Sequence, residues 1–134
     1  ISSAIAVGCE RGERDSRAVH AAMKDAMENQ RRVLFFDEYL KWKPAYFGAG
    51  GSEHPTEYVV FPGRNDWRVV TIPVAADSKD DKRKLPAEWA GLEGAALEKV
   101  VGVVGARFCH KNRFIAAFED RQSALDALRA WDRY

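Results

Sequence analysis

Cysteine and histidine are scarce in this sequence. Among 134 residues there are two Cys and three His. Cys9 and Cys109 cannot build a disulfide framework or a four-thiolate zinc site. His20, His54 and His110 have no second His or Cys at helical ligand spacing. Cys109 and His110 are neighbours, so on a strand they point to opposite faces. No autonomous metal site is expected, and a lone Cys on an apolar strand reads as inert core. An excess of charge is also missing. Lys plus Arg is 21 and Asp plus Glu is 20, a net charge of +1. That excludes a globally basic nucleic-acid binder and leaves room for a local basic patch. No apolar run approaches the ~20 residues of a membrane span, so no membrane partner is expected. The chain opens on Ile1 with no signal-peptide pattern. The expectation is one domain, residues 1–134, from a longer protein.

What is present reads as alternating helices and strands. Asp15 or Ser16 is placed to cap a helix of about four turns. Its apolar face is Val19, Ala22, Met23, Ala26 and Met27, with both Met as core filler, and His20 is expected half-buried beside that stripe. Val33-Leu34-Phe35-Phe36 reads as a buried strand. Pro44 suits the first turn of a short helix, and Gly48-Ala49-Gly50-Gly51-Ser52 reads as a flexible loop that lacks the Lys-Ser/Thr ending of a phosphate loop. Tyr58–Phe61 and Trp67–Ile72 flank the turn-rich Pro62–Asp66, which predicts an antiparallel hairpin. Ala76–Lys84 is charge-rich and reads as an exposed, mobile loop. Leu92, Ala96, Leu97 and Val100 fit a helix that Gly102 ends. Ala106–Cys109 and Arg113–Phe118 form a second hairpin, with Asn112 suited to a left-handed turn. Asp120 caps a last helix with Ala124, Leu125, Leu128 and Trp131 on its buried stripe. The sum is an α+β domain: one largely antiparallel or mixed sheet of about five strands with helices packed on it.

No catalytic motif stands out. No Ser or Cys sits in a nucleophile elbow, and no carboxylate pair is singled out by spacing. Asp80-Asp81 lies in a solvated charge run. The strongest constellation is the tip of the second hairpin: Arg107, His110, Lys111 and Arg113. Turn N–H groups with nearby cations suit a phosphate. The two Arg offer bidentate forks, His110 a switchable donor and Lys111 a point charge. Phe108 and Phe114 beside it suit either base stacking or core filling. Trp42, Lys43 and Arg68 form a second tier, since Trp beside a cation suits stacking on nucleobases.

Certain runs also carry a resemblance. They are Trp67-Arg68-Val69-x-x-Ile72-Pro73-Val74, Leu85-Pro86-Ala87-Glu88-Trp89-Ala90-Gly91-Leu92, and Val101-Gly102-Val103-Val104-Gly105-Ala106-Arg107-Phe108-Cys109-His110. Arg113-Phe114-Ile115-Ala116 and Ala124-Leu125 extend the pattern. Over about residues 42–128 the chain resembles the C-terminal part of the melanocyte-proliferating-gene protein family. That family is similar to DHH-type phosphoesterases and has been described both as metal-dependent protein hydrolases and as RNA exonucleases. The resemblance implies a catalytic N-terminal half with an Asp-His-His run and a divalent metal, Mn or Mg. This chain has no such run. It implies that residues 1–134 are the accessory, substrate-binding lobe, with no cofactor of its own and no catalytic residue. The implied partners are that N-terminal domain and RNA, and the implied location is mitochondrion or nucleus. The alternatives are a structural or dimerising lobe using an aromatic surface around Trp42, Tyr46 and Trp89, or part of a protein hydrolase.

Overall fold

The computed structural model describes residues 2–131, and side chains from residue 14 onward. The chain runs α1 (Ser2–Glu28), β1 (Val33–Phe35), α2 (Lys43–Gly48), β2 (Tyr58–Pro62) and β3 (Trp67–Thr71). It continues through α3 (Gly94–Val101), β4 (Ala106–Cys109), β5 (Ile115–Phe118) and α4 (Arg121–Ala130). Short 3₁₀ turns sit at Gly51–Glu53 and Ala87–Trp89. The five strands form one sheet in the order β1-β2-β3-β5-β4. β1 pairs parallel with β2, and every other pair is antiparallel. The sheet is therefore mixed and the domain α+β.

Helices lie on both faces. One core joins Tyr58, Val60, Val69, Cys109, Ala116 and Phe118 to Leu97 and Val101 of α3 and to Ala124, Ala127 and Leu128 of α4. The other joins Leu34, Val59, Phe61 and Ile72 to Val19 and Met23 of α1 and to Tyr46 of α2. Strand parity explains the division, since successive side chains point to opposite faces. Val33-Leu34-Phe35 and Tyr58–Phe61 are unbroken apolar runs because both of their faces are covered.

Some expectations shift. The first helix starts at Ser2 rather than at an Asp15 or Ser16 cap. The Glu and Arg residues before that point are good helix formers, so the helix runs through them. Met23 is core, but Met27 is 56% exposed and His20 is exposed. The side chain of Cys9 lies outside the described residues. α3 buries Leu97 and Val101, while Ala96 and Val100 face outward and Leu92 precedes the helix. Gly102 ends it at φ 80 as anticipated, and the Asp120 carboxylate accepts the Ser123 N–H at 2.8 Å as the cap of α4. The left-handed residue of the second hairpin is Arg113 (φ 62), not Asn112. Gly48–Ser52 is built into the end of α2 and the 3₁₀ turn, with Gly51 buried against the Tyr46 ring.

The loop after β3 is exposed as expected at Ala76, Asp77, Lys79, Asp80, Arg83 and Lys84, but it is not loose. It is tied down at its centre. Pro73 bridges to Asp81, and Lys82 N–H donates to Ile72 O at 2.8 Å. The Lys82 ammonium turns inward and its three N–H groups are shared among four acceptors, Tyr46 Oη (2.6 Å), Gly51 O (2.5 Å), His54 O (2.8 Å) and Thr56 O (3.1 Å). Its Nζ also lies 5.0 Å from the centroid of the Tyr46 ring. Thr56 Oγ1 links Tyr46 Oη at 2.7 Å to His54 Nδ1 at 2.8 Å. Burial pushes the Tyr46 hydroxyl up to about 12. Burial, more than the nearby Lys82 cation, holds His54 below the usual imidazole range. One ammonium thus ties the loop to α2, the 3₁₀ turn and the entry to β2.

A second tight junction sits at Gly105, with φ 105. Its N–H donates to Glu98 Oε2 at 2.7 Å, and its carbonyl accepts the Glu119 N–H at 2.7 Å. A Cβ there would collide with Ser123 Oγ, the hydroxyl that donates to Val104 O.

Gly105→Ala should therefore lower stability by about 2–3 kcal/mol, through left-handed strain and overpacking together. Thermal unfolding checks this, and an unchanged midpoint would contradict the geometry. Lys82→Met should cost about 2 kcal/mol at pH 7 by leaving buried carbonyls without a donor. Burial pushes the Lys82 ammonium down to about 8, with the Glu57 carboxylate opposing. An unfolded Lys titrates near 10.4. Between those values the folded state holds fewer protons than the unfolded one, so this residue's contribution to stability rises with pH. Denaturant unfolding from pH 7.5 to 10.5 should show wild type gaining on Lys82→Met across that window. A flat difference would show that Lys82 titrates normally.

Candidate functional site

The ends of β3 and β5, the tethered loop and the tip of the second hairpin enclose an open cleft of about 680 Å3. Its walls carry Lys43, Lys79, Lys84, Lys111 and Arg113, with Asp81 the carboxylate among them. Asp81 is partly offset by Lys84 at 3.6 Å. Val70, Thr71 and Pro73 form the floor, and Phe114 forms part of the rim. Each cation arrives by a different route. Lys43 opens α2, where Pro44 fixes the first turn. Lys79 and Lys84 sit on the loop that Lys82 pins. Lys111 and Arg113 belong to the β4–β5 turn.

The turn itself is closely specified. Arg113 N–H donates to His110 O at 2.8 Å, and His110 N–H donates to Ile115 O at 3.0 Å. Asn112 N–H donates to His110 Nδ1 at 3.0 Å. With Nδ1 occupied as an acceptor, Nε2 is the ring nitrogen that carries a proton in the neutral imidazole. The Arg113 carbonyl receives Leu85 N–H at 3.0 Å, which braces the turn against the chain after the loop. Left-handed backbone at a non-glycine residue costs about 1–2 kcal/mol. Here it carries the guanidinium onto the cleft wall.

The residues picked from the sequence divide. Lys111, Arg113 and Lys43 share the cleft, and His110 stands next to it. Its ring centroid is 4.6 Å from that of Phe114. Arg107 is elsewhere: it sits at the bulged start of β4 and its Nη1 donates to Asn65 O in the β2–β3 turn at 2.8 Å. Arg68 is also distant, at the far end of β3, where its Nε donates to Asp66 Oδ1 at 3.2 Å. Trp42 is buried, so stacking on it from solvent is excluded, and Lys43 lies over its ring at 5.8 Å. Tyr46 and Trp89 are buried as well. The aromatic surface considered for dimerisation is thus interior, where Trp42 packs on Tyr46 and Trp89 on Phe118. Lys79 and Lys84 were missed because they lie in a run of like residues with nothing local to separate them.

Among the described residues no three His, Cys, Asp or Glu side chains come together as metal ligands. Burial pushes the Cys109 thiol up to about 11, against a smaller opposing pull from Arg113, so it is a poor nucleophile near neutral pH. Among the described residues no helix is long and apolar enough to cross a membrane. Among the described residues, the feature that sets this cleft apart is its gathering of cationic side chains around Asp81.

Comparison with known proteins gives a consistent picture. Residues 8–130 match the family model MYG1_exonuc, described as "Uncharacterised protein family (UPF0160)". A MYG1 protein of Chlamydia pneumoniae is 39% identical over 114 residues, covering 84% of this chain and 39% of the relative. One from Chlamydia muridarum is 37% identical, covering 86% of this chain and 40% of the relative. One from Chlamydia trachomatis is 36% identical, with 84% and 39% covered. The chain thus spans about 40% of the length of these relatives. No solved structure matches it. A family match over residues 8–130 leaves only the ends of the sequence unaccounted for, and the chain belongs to the MYG1 (UPF0160) family.

Proposed function

We propose that this chain is the substrate-holding lobe of a longer, DHH-type metal-dependent phosphoesterase, an RNA exonuclease in its complete form. The observation that supports this is the charge of the cleft: five cations line it, with Asp81 among them. In a chain of net charge +1, such a concentration is local and directional. It suits a polyanion whose phosphates are spaced along a groove. The name of the matched family model, MYG1_exonuc, points the same way.

The division of labour follows from the residue types. A divalent ion, Mn or Mg, activates water for attack on a phosphodiester when bound. The described residues do not fit such an ion, since no ligand cluster exists among them. In this reading the metal belongs to the N-terminal part of the complete protein, this lobe's principal partner. The task of this lobe is positioning: Lys111 as a point charge, the Arg113 fork as a bidentate grip, His110 Nε2 as a donor, and Lys43, Lys79 and Lys84 as further cations lining the cleft. A dimerising role has lost its aromatic surface, and no feature of the cleft favours a polypeptide substrate. The bacterial relatives give no support to a mitochondrial or nuclear location.

Joint substitution Lys111→Glu with Arg113→Glu should weaken binding of a single-stranded RNA 12-mer by at least about tenfold in 0.1 M salt. The slope of log affinity against log salt should fall by about 1.4, at about 0.7 for each phosphate no longer neutralised. Fluorescence anisotropy reads both, and unchanged affinity and slope would remove the cleft from substrate binding. Arg113→Gly separates grip from fold. It should raise stability by up to about 1 kcal/mol, because glycine takes a left-handed backbone without strain. It should weaken RNA binding in the same protein. A variant that gains stability and keeps its affinity would show that the Arg113 side chain does not hold the ligand.

A further inference from the structure

The sheet face that carries α1 and α2 is only half covered. Those helices pack over Leu34, Val59 and Ile72, and Val70 of β3 is already only partly buried. Beyond it on the same face come Ile115 and Ala117 of β5 and then Phe108 of β4. The register fixes this: Val70 pairs with Ile115, while Arg68 pairs with Ala117 and Ala117 with Phe108. The opposite parity, Val69, Ala116 and Cys109, is sealed under α3 and α4.

On the open half the aromatic rings are not hidden. Phe108 is 38% exposed and Phe114 is 40% exposed. The His110 ring meets both, tilted at 52° to Phe114 with centroids 4.6 Å apart and edge-on at 89° to Phe108 with centroids 6.3 Å apart, so each ring offers its own face rather than one flat surface. Phe114 is also part of the cleft rim, so this strip of rings starts where the five cations are. In the row from Phe108 to Arg68 the middle residue, Ala117, is itself buried at 8% exposure, so what this row shows to solvent is the Phe108 ring and the Arg68 side chain. Rings left open beside a basic groove match a ligand that has both flat faces and phosphates.

We propose that the open face of β5 and β4 is a stacking platform for single-stranded nucleic acid. Unpaired bases lie on Phe114, His110 and Phe108, while the phosphates follow Lys111, Arg113 and the cleft lysines. The proposal rests on reading the cleft as the phosphate site and adds the form of the ligand. A duplex keeps its base faces stacked on one another, so it can use the cations but not the rings. Stacking on a ring is tolerant of base identity, so the platform selects strandedness rather than sequence. The chemistry is shared by RNA and DNA, and RNA is told from DNA only by a contact to the 2′-hydroxyl.

The test is anisotropy of this chain with labelled 12-mers of oligo(U) RNA and oligo(dT) DNA and a 12-base-pair RNA duplex. Phe108→Ala and Phe114→Ala should each weaken single-strand binding about tenfold and leave the salt slope unchanged, since no charge is lost. Duplex binding should be weaker at the outset and indifferent to both changes. Phe108→Tyr and Phe114→Tyr should restore single-strand affinity, while Phe→Leu at either position should not, which separates a ring face from mere bulk. Equal loss with oligo(U) and oligo(dT) assigns the platform to either polymer, and loss with oligo(U) alone assigns it to RNA. Full single-strand affinity in both Phe→Ala proteins, or a duplex bound as tightly as a single strand, would overturn the platform. If Lys111→Glu with Arg113→Glu still weakens binding in that case, the cleft reading survives without it. If wild type binds none of the three, both fall. A change in oligomeric state caused by Phe108→Ala, with oligonucleotide affinity intact, would give the face to a second copy of the chain and also overturn the proposal.

Discussion

Coverage of the sheet is the constraint from which the rest follows. A strand with both faces apolar must be roofed twice, and β1 and β2 are roofed by α1 and α2 on one side and by the α3–α4 layer on the other. The helices available on the first side end at β3. Across β5 and β4 the sequence answers by changing character. Ala replaces branched residues at 116 and 117, and exposed rings and cations appear around the β4–β5 turn. The same sheet is thus packed under helices on both faces at one edge, while at the other Ala116, Phe118 and Cys109 are core on one face and the exposed rings of Phe108 and Phe114 mark a boundary with solvent.

That boundary is held in place by a half-buried charge. An ammonium needs oxygen acceptors wherever it goes, and Lys82 finds them in Tyr46, Gly51, His54 and Thr56. The residues on either side of it in sequence then have no choice of position. Asp81 and Lys84 are turned to the cleft because Lys82 is turned away from it. A loop whose composition resembles solvent-swollen chain is in effect a wall.

Much of the architecture was legible because period and parity are local signals. The two hairpins, the capped last helix and the Gly102 stop are written in a few adjacent residues each. Membership of the cleft was legible only in part. Lys111 and Arg113 sit at a turn between two apolar strands, and a turn projects its residues wherever the strands lead. Arg107 was misplaced because the bulge between Ala106 and Phe108 breaks the alternation by which a strand residue is assigned a face. Trp42 beside Lys43 looks like a surface pair, yet burial of a large ring outweighs the pull of its neighbour toward water, and the helix turns one in and the other out. In Lys79-Asp80-Asp81-Lys82-Arg83-Lys84 no local feature distinguishes the residue that goes inside. The carbonyls that receive it come from 26 to 31 positions earlier in the chain.

The strand order has a consequence for how the molecule comes into being. β2 with β3 and β4 with β5 are hairpins that close over short loops, whereas the seam joining them, β3 against β5, links Val70 to Ile115. Closing so long a loop carries a larger entropic cost than closing either hairpin. The cleft straddles that seam, with Val70 and Thr71 contributed by one hairpin and Lys111 to Phe114 by the other. A chain in which that seam has not formed therefore possesses both halves of the cleft and no cleft, which takes shape only with the final register.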